Sequence, residues 1–148
     1  MVGIKGRQTN KVKAQVVPNT KKPTLQGYVK DDIEPGAETF TDDNRSYTGL
    51  ENHQTVCHSV GEYVNGQIHT NRIESFWSML KRAHKGIFHK MSAKHLQRYV
   101  NEFSGRHNLR QHDTQDMMRI VFNQMAGKHL PYQELIKNNG LDNGARTF

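Results

Sequence analysis

Apolar and polar side chains alternate between residues 12 and 16, with Val12, Ala14 and Val16 set against Lys13 and Gln15. A period of two is that of a half-buried strand, and Pro18-Asn19 closes it. The spacing then changes. Pro23 suits a first helical turn, and Leu25, Tyr28 and Val29 fall on one side of a short helix ending near Asp32. Glu34-Pro35-Gly36 is turn chemistry, Glu38 to Thr41 reads as a short strand, Asn44 to Leu50 as a helical turn, and Thr55 to His58 as another strand.

After residue 70 the strand signals stop. Asn71 is a good N-cap, and Ile73, Phe76, Trp77 and Leu80 repeat at the spacing of an amphipathic helix packed on a sheet. A second flank of that helix is polar: Glu74, Ser78, Lys81 and Lys85 share a face. Gly86 is expected to break the helix. A further helix capped at Ser92 turns Leu96, Tyr99, Val100 and Phe103 inward, and Asp113 caps another with Met118, Val121, Phe122 and Met125 on one face. Gly127 ends that helix, Pro131 starts a last short one through Ile136, and the tail from Asn138 is polar. Trp77 and Tyr99 are read as packing residues.

Composition narrows the class. The 148 residues allow one buried core, and only 34% are hydrophobic against 24% charged, so that core is small. No apolar run reaches the length of a spanning helix, and Met1 to Lys5 lacks a secretory h-region, which points to the cytoplasm and away from membranes. Cys57 stands alone, so it forms no internal disulfide and no thiolate metal site. Charge is segregated: residues 1–30 carry +7, residues 31–62 carry −7, residues 63–110 carry +7 and the remainder is neutral. A carboxylate-rich stretch between two basic ones suits a metal site beside a polyanion.

Asp42 follows the short strand directly, at the end where open α/β sheets place their ligands. Glu74 and Lys81 lie on one face of the helix that packs on that sheet. His84, His89 and His95 are spaced by five and six, which does not gather them on one helix face for zinc, and they are read as neighbours of phosphate.

The run His69-Thr70-Asn71-Arg72-Ile73-Glu74-Ser75-Phe76-Trp77-Ser78-Met79-Leu80-Lys81-Arg82, followed by Phe88-His89-Lys90-Met91-Ser92-Ala93-Lys94-His95-Leu96, closely resembles bacterial insertion-sequence transposases of the ISXO-like branch of the DDE superfamily. The resemblance extends upstream through Phe40 to Asp43 and His58 to Val64, and downstream from Arg98 through Phe103 to Arg106-His107-Asn108. It implies an α/β, ribonuclease-H-like (retroviral-integrase-like) fold in which three acids hold divalent cations, Mg²⁺ or Mn²⁺, for DNA cleavage and strand transfer. Asp42 corresponds to the second acid and Glu74, 32 residues on, to the third. Asn71 remains open as an alternative ligand, since some members carry Asn there; its N-cap role already accounts for it. Lys81 corresponds to the basic residue that steers the DNA end. Arg82, Lys85, His89, Lys90, Lys94 and Arg98 are expected along DNA phosphates.

The resemblance also exposes a departure. The first catalytic Asp has no counterpart: the acids before Asp42 are Asp31, Asp32, Glu34 and Glu38, near a helix end and a turn. The expectation is a truncated copy, corresponding to the C-terminal part of the catalytic domain. Residues 1–110 would form that domain without its first strand, and residues 111–148 a helical extension. Little autonomous catalysis is expected; the alternative is a non-catalytic, basic DNA-binding remnant. A homo-oligomer on paired ends, with the protein nucleoid-associated when bound to DNA, is implied by resemblance.

Overall fold

The structure, a computed structural model, describes residues 1–42, 44–55, 71–88 and 90–141. Its order is β1 (Val2–Lys5), β2 (Val12–Gln15), α1 (Lys22–Asp32), β3 (Thr39–Thr41), a 3₁₀ turn at Arg45–Tyr47, β4 (His53–Thr55), α2 (Asn71–Ala83), α3 (Leu96–Leu109), α4 (Thr114–Met125) and α5 (Tyr132–Ile136). This is a mixed α/β arrangement. Four of these elements follow the hydrophobic pattern closely: β2, α1, α4 and α5.

β1 and β2 pair antiparallel, with Val2 opposite Gln15 and Lys5 opposite Val12. Alternation along both strands gives the hairpin two working faces. Val2 packs with Leu25 and Tyr28 of α1, joined by the half-buried Ile4, Val17 and Tyr47. Val12 and Ala14 pack on the other side with Phe76 and Leu80 of α2 and Val100 of α3. Helices therefore cover both faces of the hairpin. Gly3 faces α2, where a Cβ would stand 2.7 Å from Trp77 Cζ2, so the absence of a side chain lets the indole lie against the strand.

The α1 layer is fixed by polar contacts as well. The Tyr28 hydroxyl donates to Lys13 O at 3.1 Å, and Lys13 pairs with Asp32 at the end of α1. Burial, then the Asp32 charge and its hydrogen bond, push the Tyr28 phenol far above the ordinary tyrosine range. It stays neutral at any physiological pH.

α3 closes the outer edge of β2. Asn108 Oδ1 accepts from Val12 N at 2.7 Å while Asn108 Nδ2 donates to Val12 O at 2.9 Å. One helix length away, Gln97 Oε1 accepts from Val16 N at 2.7 Å, and Gln97 Nε2 donates to Ala14 O at 3.3 Å. Two side-chain amides thus replace the partner strand that an exposed edge would otherwise recruit.

β3 and β4 form a separate parallel pair, Thr39 opposite His53 and Thr41 opposite Thr55. The Arg7 guanidinium lies 3.6 Å from the centroid of the Phe40 ring, joining the end of the first hairpin to β3 by a cation–π contact.

Three sequence expectations change. β1 carries no long alternation, and only its pairing with β2 makes it a strand. β4 begins at His53, ahead of the expected Thr55; Val56, Cys57 and His58 lie outside the described residues. The α2 helix does not run to Gly86: it gives way after Ala83 to a π turn, His84–Phe88. The wider turn carries the Phe88 ring to Tyr99 and Phe103, at centroid distances of 4.9 and 5.9 Å. Lys85 consequently sits in that turn, off the α-helical register it was expected to share with Glu74.

Candidate active site

Asp42 is the first residue beyond β3, and it is exposed. A short chain of hydrogen bonds shapes the turn that presents it. The Thr41 hydroxyl donates to Asp42 O at 2.8 Å and lies 2.7 Å from His53 Nε2. Its one proton is committed to the carbonyl, so His53 is the donor to Thr41 Oγ1 and carries its hydrogen on Nε2. Downstream, Asn44 N donates weakly to Asp42 Oδ1 at 3.4 Å, and the Asn44 side chain accepts from Ser46 N at 2.9 Å to start the 3₁₀ turn.

That turn delivers Tyr47 to the neighbourhood of Asp42. Burial raises the Tyr47 phenol above its ordinary range, and the Asp42 carboxylate adds to the shift. The carboxylate is thus close enough to Tyr47 to be felt, while Tyr47 itself packs on the Val2, Leu25 and Tyr28 cluster. Asp42 is held on a scaffold made of both strand pairs and α1. Arg7 belongs to this neighbourhood through Phe40; its role had no signal in the sequence, because residues 7 and 40 meet only in the folded chain.

The helix candidates follow from the apolar stripe of α2, which packs on Val12 and Ala14 of the β1–β2 hairpin; the helix was expected on the sheet that ends at Asp42, which is the separate β3–β4 pair. Phe76, Leu80 and Ala83 are buried, with Ile73, Trp77 and Met79 packed around them. Phe76 meets Trp77 edge-on at 5.1 Å. Trp77 and Tyr99 are therefore packing residues, as expected. Burying that stripe leaves Glu74, Ser78, Lys81 and Arg82 exposed on the remaining surface. Asn71 opens the helix in its first turn, ahead of Glu74.

The other basic candidates differ in exposure. Lys85, Lys90 and Arg98 are exposed. Lys94 is half-buried, with Nζ donating to Ile136 O at 2.8 Å, so part of its ammonium is committed to α5. His89 lies outside the described residues.

A divalent cation of the kind the resemblance implies needs several oxygen donors together. Among the described residues, no three of His, Cys, Asp and Glu gather to hold a metal ion. Asp32, with its carboxylate on Lys13, and Asp31 beside it close α1 and do not supply the missing donor. Among the described residues the donor set for such a cation is therefore incomplete. Nor is any helix among the described residues long and apolar enough to cross a membrane.

Comparison with known proteins bears on the class. The family model for the ISXO2-like transposase domain matches residues 1–108. An "Uncharacterized transposase-like protein" of Haemophilus influenzae (strain ATCC 51907 / DSM 11121 / KW20 / Rd) is 30% identical over 102 residues, which is 66% of this chain and 81% of that protein. No solved structure matches. The chain belongs to the ISXO2-like transposase domain family of insertion sequences.

Proposed function

We propose that this chain takes part in DNA transposition on a ribonuclease-H-like sheet, with Asp42 and Glu74 supplying two of the carboxylates for a divalent cation, Mg²⁺ or Mn²⁺. The observation that carries the reading is the position of Asp42: exposed, at the carboxyl end of a strand in a parallel pair, in a chain of this family. Parallel α/β edges of that kind are where ligands sit. A cation held there would supply charge neutralisation at a phosphodiester and an acidified water. The residues of this chain would hold it and present the DNA. Asn71, at the start of α2, is the alternative to Glu74.

DNA is the partner the family implies. Lys81, Arg82, Lys85, His89, Lys90, Lys94 and Arg98 are the proposed phosphate contacts, which position a duplex without reading its sequence. The donor set, incomplete among the described residues, favours a second reading, namely DNA binding without strand cleavage.

The two readings are separated by one pair of assays. Duplex DNA binding is followed by fluorescence anisotropy, and nicking of supercoiled plasmid is followed with Mg²⁺ and with Mn²⁺. Binding without nicking is the expected result. Nicking abolished by Asp42→Asn would show a complete catalytic set within these residues; absence of both binding and nicking would remove the DNA reading.

A further inference from the structure

α5 reaches back to the basic surface proposed for DNA. Lys94 Nζ donates to Ile136 O at 2.8 Å, a contact between residues 42 apart in the chain. Ile136 is the last residue of α5, so its carbonyl is one of those that a helix end leaves without an intrahelical donor. The amide four residues on, Gly140 N, donates instead to Asn138 Oδ1 at 2.9 Å. The Lys94 ammonium takes that place, as lysines do at the carbonyl end of a helix.

α5 is held lightly. Five residues are too few to make a stable helix unaided, Pro131 gives α5 no side-chain cap, and Tyr132 and Ile136 are 72% and 53% exposed. Within the helix only Leu135 is half-buried. Irregular chain from Gly127, at φ +74, to Pro131 joins it to α4, and the whole segment lies beyond residues 1–108, which the family model matches. A short element with one half-buried anchor and one ammonium contact opens at little cost.

We propose that α5 is an autoinhibitory strap that competes with DNA phosphate for Lys94. The inference rests on the DNA reading of this surface. Lys94 stands in sequence between Lys90 and Arg98, both exposed, within the row of cations assigned to phosphate. With the strap closed, the Lys94 ammonium is engaged by a neutral carbonyl of its own chain. With the strap open, the same group meets a charged acceptor, which is the stronger partner. The closed chain therefore binds a duplex with one contact fewer than its sequence offers. The strap sets affinity for DNA through Lys94 and leaves Asp42 and Glu74 untouched.

Duplex binding by the full chain, measured across a series of salt concentrations, tests it. Leu135→Pro removes the N–H that donates to Pro131 O at 3.1 Å and turns Glu134 away from helical backbone. It should tighten duplex binding about threefold to tenfold. The slope of log affinity against log salt should steepen by up to about 1 as Lys94 joins the phosphate contacts. Leu135→Gly, which removes the half-buried anchor and keeps the N–H, should act in the same direction and less strongly. Far-UV circular dichroism and thermal unfolding establish that both variants stay folded. In a Lys94→Gln chain the gain from Leu135→Pro should vanish, because the contested group is gone. Unchanged affinity and slope in both Leu135 variants would overturn the strap and leave the DNA reading standing, as would a gain that persists in full with Lys94→Gln. Absence of duplex binding by the wild type and every variant would remove the DNA reading and the strap with it.

Discussion

His107 shows how a single side chain can tie stability to pH. Its ring stands edge-on to Phe76, with centroids 5.5 Å apart, and its Nε2 is buried with no hydrogen-bond partner among the described residues. Burial, then the charges of Arg110 and Lys5, lowers its pKa below the ordinary histidine value of 6.5. The folded chain therefore prefers the neutral ring, while the unfolded chain takes up the proton first on acidification. Its contribution to stability is intact above about 6.5, erodes as the pH falls through that value and is fully lost below the folded-state pKa. Urea unfolding at about pH 7 and about pH 5 should show a larger loss for the wild type than for His107→Gln; equal losses would mean that the ring is as easily protonated folded as unfolded.

At the scale of elements, α3 serves as a substitute strand. Asn108 satisfies both backbone groups of Val12, and removing its amide leaves a half-buried donor and acceptor to water. Asn108→Ala is expected to cost about 1–2 kcal/mol in urea unfolding, whereas the exposed Arg106→Ala should cost a few tenths of a kcal/mol. This edge cover was not legible in the sequence. The helix was, because Leu96, Tyr99, Val100 and Phe103 repeat at helical spacing, but polar residues on such a helix read equally well as a solvated face. The same limit explains β1. Four residues with Val2 and Ile4 as the only large apolar side chains make no pattern until Val12–Gln15 pairs with them. The π turn after Ala83 was hidden for a related reason, since Gly86 marks an interruption without saying that Phe88 must still reach Tyr99.

Across the whole molecule, the segregation of charge gives the clearest expectation. Duplex binding should weaken steeply with salt as phosphate contacts release counterions, and replacing one cation that contacts phosphate should reduce the slope of log affinity against log salt by about 1. Arg98→Gln should do so. Lys94→Gln should change the slope less, because Lys94 Nζ is already bound to Ile136 O. Anisotropy titrations at four or five salt concentrations measure both, and equal slopes for the two variants would argue against unequal engagement. Of the candidate site, the strand-end position of Asp42 and the exposed flank of α2 were legible, because each follows from local periodicity. The Tyr47 and Arg7 surroundings were not, since they depend on which elements meet. The contact between Gly3 and Trp77 has a practical corollary. The chain's sole indole rests on the first strand from the second helix, so its emission is an intrinsic gauge of whether that layer is seated. Unfolding, ligand uptake or assembly that loosens α2 from β1 would register as a red shift without any added label.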